Sequence, residues 1–278
     1  LPSVQTLKSW APLYLHKTDR TITHLLKILS TPSGTDSFLC ALTYSTLLTS
    51  TILSSISLSR LHAQALRFIE TAISLPPNTT VVIDTKDIPT SKLLVTAQRL
   101  KALSALISDF RIFARLWGLL GLWAWGKRAL ENPSKDVVLA RIAYAQVFVN
   151  VCYQYLENGA YLSGKGVLGW DKQKQGRAWV ISSRFWMAHV GLDFVRLWRE
   201  WQTRRKDVEG KGDDKVKEQS EEEWRRLWKK QLVVDLAYAP LTVHYSLEKG
   251  LLPQFWVGLC GSVAGLASFR FFWNNTKS

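Results

Sequence analysis

Two histidine–carboxylate pairs come first among side chains with chemical potential. His189 and Asp193 stand four apart, as do His244 and Glu248, so each pair shares one face of a helix and has the makings of an acid/base dyad. Local helix pairing is the better account of both, and no catalytic constellation surrounds either. The chain lacks G-x-S-x-G, a phosphate-binding loop, a dinucleotide fingerprint and H-E-x-x-H. The five histidines are scattered, and Cys40, Cys152 and Cys260 sit far apart in apolar runs without a C-x-x-C pair. Neither a zinc site nor a disulfide framework follows, and a reducing compartment fits. The sequence therefore predicts no catalytic residue, no cofactor and no metal.

Asp235 is the more demanding carboxylate, because it interrupts the apolar stretch LVVDLAYA and burial without a partner is costly. Lys229, Lys230 or an arginine from another helix can pair with it. A polar path between helices, lined by Asp235, Arg141, Arg184 and Asp193, is the alternative that would make the protein a channel for small metabolites. The cluster Arg225–Lys230, interleaved with Trp224 and Trp228, has the charge for RNA, but no nucleic-acid fold motif accompanies it. Membrane phosphates suit it better, and no nucleic-acid partner is predicted.

The elements that must position these groups are helices. Net charge is +14 while 47% of residues are apolar, a pairing that points to an anionic membrane surface. Thirteen tryptophans serve either an interfacial belt or core packing. Ile22, Leu25, Leu26 and Leu29 predict a short amphipathic helix ending at TPSG, with a second helix starting near Asp36. Ser37–Ser59 has no charge but is rich in serine and threonine. It reads as a long buried or interfacial helix, continuing to the stop at Pro76 and Pro77. A loop follows, containing a short strand-like TVVI at Thr80–Ile83.

The stretch from Ser91 to Leu130 predicts a basic amphipathic helix of the kind that lies in a membrane interface. Leu93, Leu100, Leu103, Ile107, Phe110 and Trp117 share the face expected to insert into lipid. Lys92, Arg99, Lys101, Arg111 and Arg115 are expected to meet lipid phosphates, with Arg111 close to the apolar centre and snorkelling. Leu116–Gly126 is too short to cross about 30 Å of hydrocarbon. Val137–Glu157 and Ala178–Trp198 predict two more long helices, separated by a glycine-rich loop.

Residues 206–223 form a mixed-charge run expected to be a disordered linker. It separates an N-terminal and central membrane-associated region, 1–205, from a C-terminal helical hairpin, 224–278, within one domain overall. Pro240 is expected to kink or end the helix that carries it. Lys249 and Arg270 enclose the only window with both the length and the hydrophobicity of a transmembrane helix. Gly258, Gly261 and Gly265 within it are expected to pack against another helix, through a G-x-x-x-G step that promotes self-association. The fold class is all-α: a membrane-associated helical bundle with a basic amphipathic helix and a glycine-rich C-terminal transmembrane helix.

Four stretches carry a resemblance: HKTDRTITHLLKILSTPSGTDSFL, ALISDFRIFARLWGLLGLWAWG, YLENGAYLSGKGVLGW and DLAYAPLTVHYSLEKGLLPQFWVGLCGSVAGLASF. Their order and spacing resemble the peroxin-eleven family of peroxisomal membrane-elongation proteins, most closely its divergent fungal branch. The resemblance implies a peroxisomal membrane protein that bends and elongates the membrane before fission. It also implies self-association, and engagement of a fission adaptor and a dynamin-related GTPase. By position, the inserting helix corresponds to Leu93–Trp117 and the glycine-rich span to Leu251–Phe269. The charged insertion after Arg205 and the breadth of the apolar face depart from the common pattern and suit an accessory member.

Overall fold

The computed structural model describes residues 4–76, 79, 92–209 and 215–276, and among these there are helices and no strands. The TVVI segment lies outside the described residues. Helix α1 (Val4–Leu29) is followed by α2 (Pro32–Ile73), which begins four residues before the expected Asp36. The reason is local: Thr31 is the N-cap, its hydroxyl accepting from the Gly34 amide, and Pro32 fits the first helical turn, where its missing N–H costs nothing.

Helix α3 (Lys92–Ala114) passes through one 3-10 turn (Arg115–Trp117) into α4 (Gly118–Glu131). Helices α5 (Val137–Gly164) and α6 (Lys172–Glu209) form a long hairpin. They consume most of the glycine-rich segment expected as a loop. Asp136 caps α5 by accepting from the amides of Val138 and Leu139, and Asp171 accepts from the Lys174 amide at the start of α6. The turn between them uses Gly166 at φ 77°, a left-handed conformation that favours glycine.

Helix α7 (Lys215–Tyr245) keeps Pro240 inside it and does not end there. The mixed-charge run thus supplies the end of α6 and the first turns of α7, with 210–214 outside the described residues. Helix α8 (Gln254–Asn275) returns antiparallel to α7 and lies along α2. Val234 and Ala237 of α7 pack with Ala264 of α8, and Tyr238 and Ala267 close over them. Helix α1 is tied to the end of α8 through His24, whose Nε2 lies 2.7 Å from Thr276 Oγ1 and whose ring meets Trp273 at 4.1 Å between centroids.

Side-chain distribution across the bundle departs from that of a protein that folds in water. Many buried positions are small or polar: Cys40, Ala41, Thr43, Thr46 and Ser50 on α2, Ser104 on α3, Gln146, Gln154 and Glu157 on α5, Ser182 and Asp193 on α6, beside buried apolar residues such as Ile142, Leu197 and Leu241. Large apolar side chains point outward, as with Ile52 and Ile56 on α2, Phe148 and Tyr155 on α5, and Val263 and Leu266 on α8. Buried hydroxyls other than that of Ser57, which has no hydrogen-bond partner, find backbone partners. Ser50 donates to the Ala97 carbonyl at 2.7 Å and Ser104 to the Thr43 carbonyl at 2.8 Å, which stitches α2 to α3.

Among the described residues, three helices, α2, α5 and α8, are long and apolar enough to cross a membrane. The sequence reading had singled out α8 alone. The serine and threonine content of α2 that argued against it is satisfied internally, since Thr43, Thr46, Thr49 and Thr51 each donate to a carbonyl one turn back.

Candidate functional site

Helix α3 carries the expected membrane-inserting residues, and the fold divides them between two faces. Ala97, Ser104 and Ile107 are buried against α2, so Ile107 belongs to the protein interior. Leu93 and Leu100 are half-buried at the margin. Leu103, Phe110 and Trp117 are exposed, and they join Leu106 and Phe113 in an unbroken outer row at helical spacing. The row continues along α4 through Leu120 and Trp123, which are 70% and 76% exposed. Leu106 and Phe113 were missed in the sequence because they sit beside the face chosen by periodicity; only the α2 contact shows which side is open.

The five basic residues separate in the same way. Lys92, Arg99 and Lys101 are exposed near the N-terminus of α3. Arg111 and Arg115 turn inward and each makes a two-pronged ion pair, which departs from the lipid-phosphate expectation. Arg111 donates from Nε to Asp36 Oδ1 at 2.9 Å and from Nη2 to Oδ2 at 3.2 Å. Arg115 donates from Nε and Nη2 to the two Glu157 carboxylate oxygens, both at 3.0 Å. Glu157 also accepts from the Tyr153 hydroxyl at 2.8 Å. Fork-on-carboxylate geometry of this kind fixes orientation as well as charge. It explains why an arginine sits near the apolar centre of α3: the partner, Asp36, is supplied by α2.

Around these pairs, Gln154 donates to the Arg115 carbonyl and Asn158 to that of Leu116, which satisfies the backbone where α3 passes through its 3-10 turn.

On α8 the three glycines all face α2 of the same chain. Gly258 abuts the Leu48 backbone, Gly261 abuts the Tyr44 ring, and Gly265 abuts the backbone of Ala41. Small residues let two helix backbones approach where lipid provides no hydrophobic drive.

A second polar cluster joins α5, α6 and α7. Gln146 donates to Asp193 Oδ1 at 2.8 Å, Arg196 donates to the same oxygen at 2.6 Å, and Gln231 donates to both Asp193 Oδ2 and Asp235 Oδ1 at 3.0 Å. Burial opposes the Asp193 charge, but the hydrogen bond and the charge of Arg196 together with the hydrogen bond from Gln146 outweigh it and hold this carboxyl below its usual range. Burial, reinforced by the Asp193 charge, pushes Asp235 up to about 7. Its Oδ2 is buried without a hydrogen-bond partner. Arg184 instead donates to the Ser246 carbonyl, and Arg141 is exposed, so the four residues considered for a polar path do not line one.

His189 contacts Asn150 through Nδ1 at 2.9 Å, and His244 Nδ1 accepts from the Leu252 amide; neither pairs with the carboxylate four residues on. Among the described residues no group of three His, Cys, Asp or Glu side chains is placed to hold a metal ion.

Helix α1 presents a further apolar row. Leu15, Ile22, Leu26 and Leu29 are exposed on it, with His16, Lys17 and Arg20 also exposed nearby. Helical spacing alone indicated part of this row, which the structure extends to Leu15.

Comparison with known proteins places these features in context. Residues 91–273 match the family model described as Peroxisomal biogenesis factor 11 (PEX11). An uncharacterized protein of Schizosaccharomyces pombe is 27% identical over 169 residues, covering 60% of this chain and 73% of the relative. No solved structure matches.

Proposed function

Because this chain belongs to the Peroxisomal biogenesis factor 11 family, we propose that it remodels and elongates the peroxisomal membrane ahead of fission and so regulates peroxisome size and number. Membership of a family of peroxisomal biogenesis factors supports a role in peroxisome biogenesis and a setting at the peroxisomal membrane. The observation that supports the finer reading is the large apolar side chains on the outside of a bundle with many small or polar buried residues, with an outer row from Leu103 to Trp123 running beyond the helices long enough to span.

Apolar side chains wedged about 5–10 Å into one leaflet expand it relative to the other. Two elements of the chain suit that role. The outer face of α3 and α4 offers large aromatic and aliphatic groups, and α1 offers an apolar row with basic neighbours that favour anionic head groups. Self-association concentrates the effect. Since α8 uses its glycines on α2, a second copy would engage another surface. Recruitment of a fission adaptor and a dynamin-related GTPase completes the proposal, on the strength of the family resemblance.

Deletion of the gene tests the reading directly: cells should contain fewer, enlarged peroxisomes, and re-expression should restore their number. Unchanged peroxisome number and shape would refute it. Complete release of the protein by alkaline carbonate would refute the spanning role of α2, α5 and α8.

A further inference from the structure

A chamber of about 350 Å³ lies where α2, α3, α5, α6 and α7 converge, within the size range of about 300–1,000 Å³ typical of pockets that enclose small ligands. Its walls combine two chemistries. One side holds the Arg111 and Arg115 guanidiniums, the latter paired with Glu157, which also lines the chamber. The other is aromatic: the Trp186 ring stands 5.5 Å from that of Tyr238 and 6.4 Å from that of Tyr245, and Tyr44 and Trp179 extend the wall.

Charge narrows the ligand class. Two guanidiniums are balanced by Asp36 and Glu157, so the chamber and its rim carry no net charge. A net anion or a net cation would bring an uncompensated charge into a partly desolvated space. A zwitterion would not.

Hydrogen-bond supply narrows it further. All the oxygen positions of Glu157 are engaged by Arg115 and Tyr153, and the Ser182 and Ser183 hydroxyls donate to the Trp179 carbonyl. The Tyr44 hydroxyl and the Trp186 indole N–H line the space and make no hydrogen bond among the described residues. Guanidinium, indole and phenol donors suit an oxyanion, and a Trp/Tyr wall attracts a quaternary ammonium through its ring faces.

We propose that this chamber binds the phosphocholine group, with its trimethylammonium against the Trp186–Tyr238–Tyr245 wall and its phosphate toward Arg111 and Arg115. This assignment stands on the chamber alone and does not depend on the elongation reading. Phosphocholine can come from phosphatidylcholine or from a soluble ester, and one experiment separates the two.

The full-length protein is purified in dodecyl maltoside, whose head group carries no phosphocholine. Its thermal midpoint is followed while titrating glycerophosphocholine, a soluble zwitterionic diester, dihexanoyl-phosphatidylcholine or dihexanoyl-phosphatidylglycerol, since a ligand that binds the folded state raises the midpoint. The expected result is a saturable rise with phosphatidylcholine and none with phosphatidylglycerol. Trp186→Leu should weaken the apparent Kd at least tenfold, whereas Trp186→Phe, which keeps a ring, should stay within about threefold. A rise with glycerophosphocholine as well would support the soluble source; a rise with the lipid alone would support the head group of a bilayer lipid.

Tyr44→Phe provides a variant that preserves wall and ion pairs should Trp186→Leu fail to fold, and it should weaken binding about threefold or more. Equal response to phosphatidylglycerol, no response to either choline compound, unchanged binding by a folded Trp186→Leu, or, should that variant not fold, unchanged binding by Tyr44→Phe would overturn the proposal.

Discussion

Gly265 of α8 lies so close to Ala41 of α2 that a Cβ placed on it would stand 2.6 Å from the Ala41 amide nitrogen. The obstacle is backbone, which cannot swing aside as a side chain can. Gly265→Ala should therefore destabilise the protein by about 1–3 kcal/mol through overpacking, and Gly265→Leu by more. Gly121 of α4 has nothing within 4 Å of the corresponding position. Gly121→Ala should be neutral or stabilising by up to about 1 kcal/mol, because alanine is the better helix former. Thermal unfolding in detergent checks both, and equal midpoints for the two alanine variants would contradict the seam.

The glycine-rich span shows what a sequence yields and where it stops. Its length, apolarity and small residues were all legible between Lys249 and Arg270, since they depend on composition over one window. The identity of the facing helix was not, because Ala41 and Tyr44 lie more than two hundred residues away. On α3 the limit is different. Periodicity identified an apolar face containing Ile107 and Phe110, but in a membrane-associated bundle both lipid and the protein interior accept apolar side chains. The contact with α2 assigns Ile107 inward and Phe110 outward. The inward turn of Arg111 was unreadable for the same reason: its meaning lies in Asp36. The phosphocholine chamber left no trace at all, since its walls come from five helices with no shared spacing.

Glu157 tests how far the interior depends on its ion pairs. Replacing it with glutamine removes the negative charge and leaves the Arg115 guanidinium inside without a counter-charge, while the Tyr153 hydroxyl keeps an acceptor. Glu157 is almost fully buried, whereas Arg115 retains 31% of its side-chain exposure. The expected loss is therefore about 3 kcal/mol, the lower end for a broken buried pair. Asp109→Asn, which breaks the exposed pair with Lys165, should cost under about 1 kcal/mol. Denaturation of both variants in one detergent gives the comparison, and similar losses would count against a buried role for Glu157.

Asp235 predicts a pH dependence whose sign follows from its raised pKa. Below about 4 the carboxyl is protonated in folded and unfolded states alike. Between about 4 and about 7 the unfolded chain has lost the proton that the folded chain keeps, so this group's contribution to stability falls as pH rises and levels off above 7. Asp193 and Arg196 from α6 and Lys230 and Gln231 from α7 act on it, and the Gln231 amide donates to its Oδ1. Asp235→Asn should therefore gain stability relative to the parent as pH rises from 5 to 8, with little difference near pH 4. Thermal midpoints measured across that range decide it; parallel curves for variant and parent would show that Asp235 ionises like an exposed carboxyl.

The outer row of α3 gives the sharpest test of which surface meets lipid. Leu106 and Phe110 are 67% and 53% exposed and make no part of the α2 seam, so glutamate at either position leaves the folded contacts in place. If the row lies in hydrocarbon, an acidic side chain there costs about 3 kcal/mol at full depth and less near the head groups. Leu106→Glu/Phe110→Glu should then keep its helicity in detergent yet float poorly with liposomes, and the defect should be larger than that of Leu15→Glu/Ile22→Glu on α1 if α3 sits deeper. Helical content by circular dichroism and flotation on a density gradient supply the two readouts. Undiminished flotation of the α3 variant would place that row in water, and would shift the wedge proposed for membrane bending to α1.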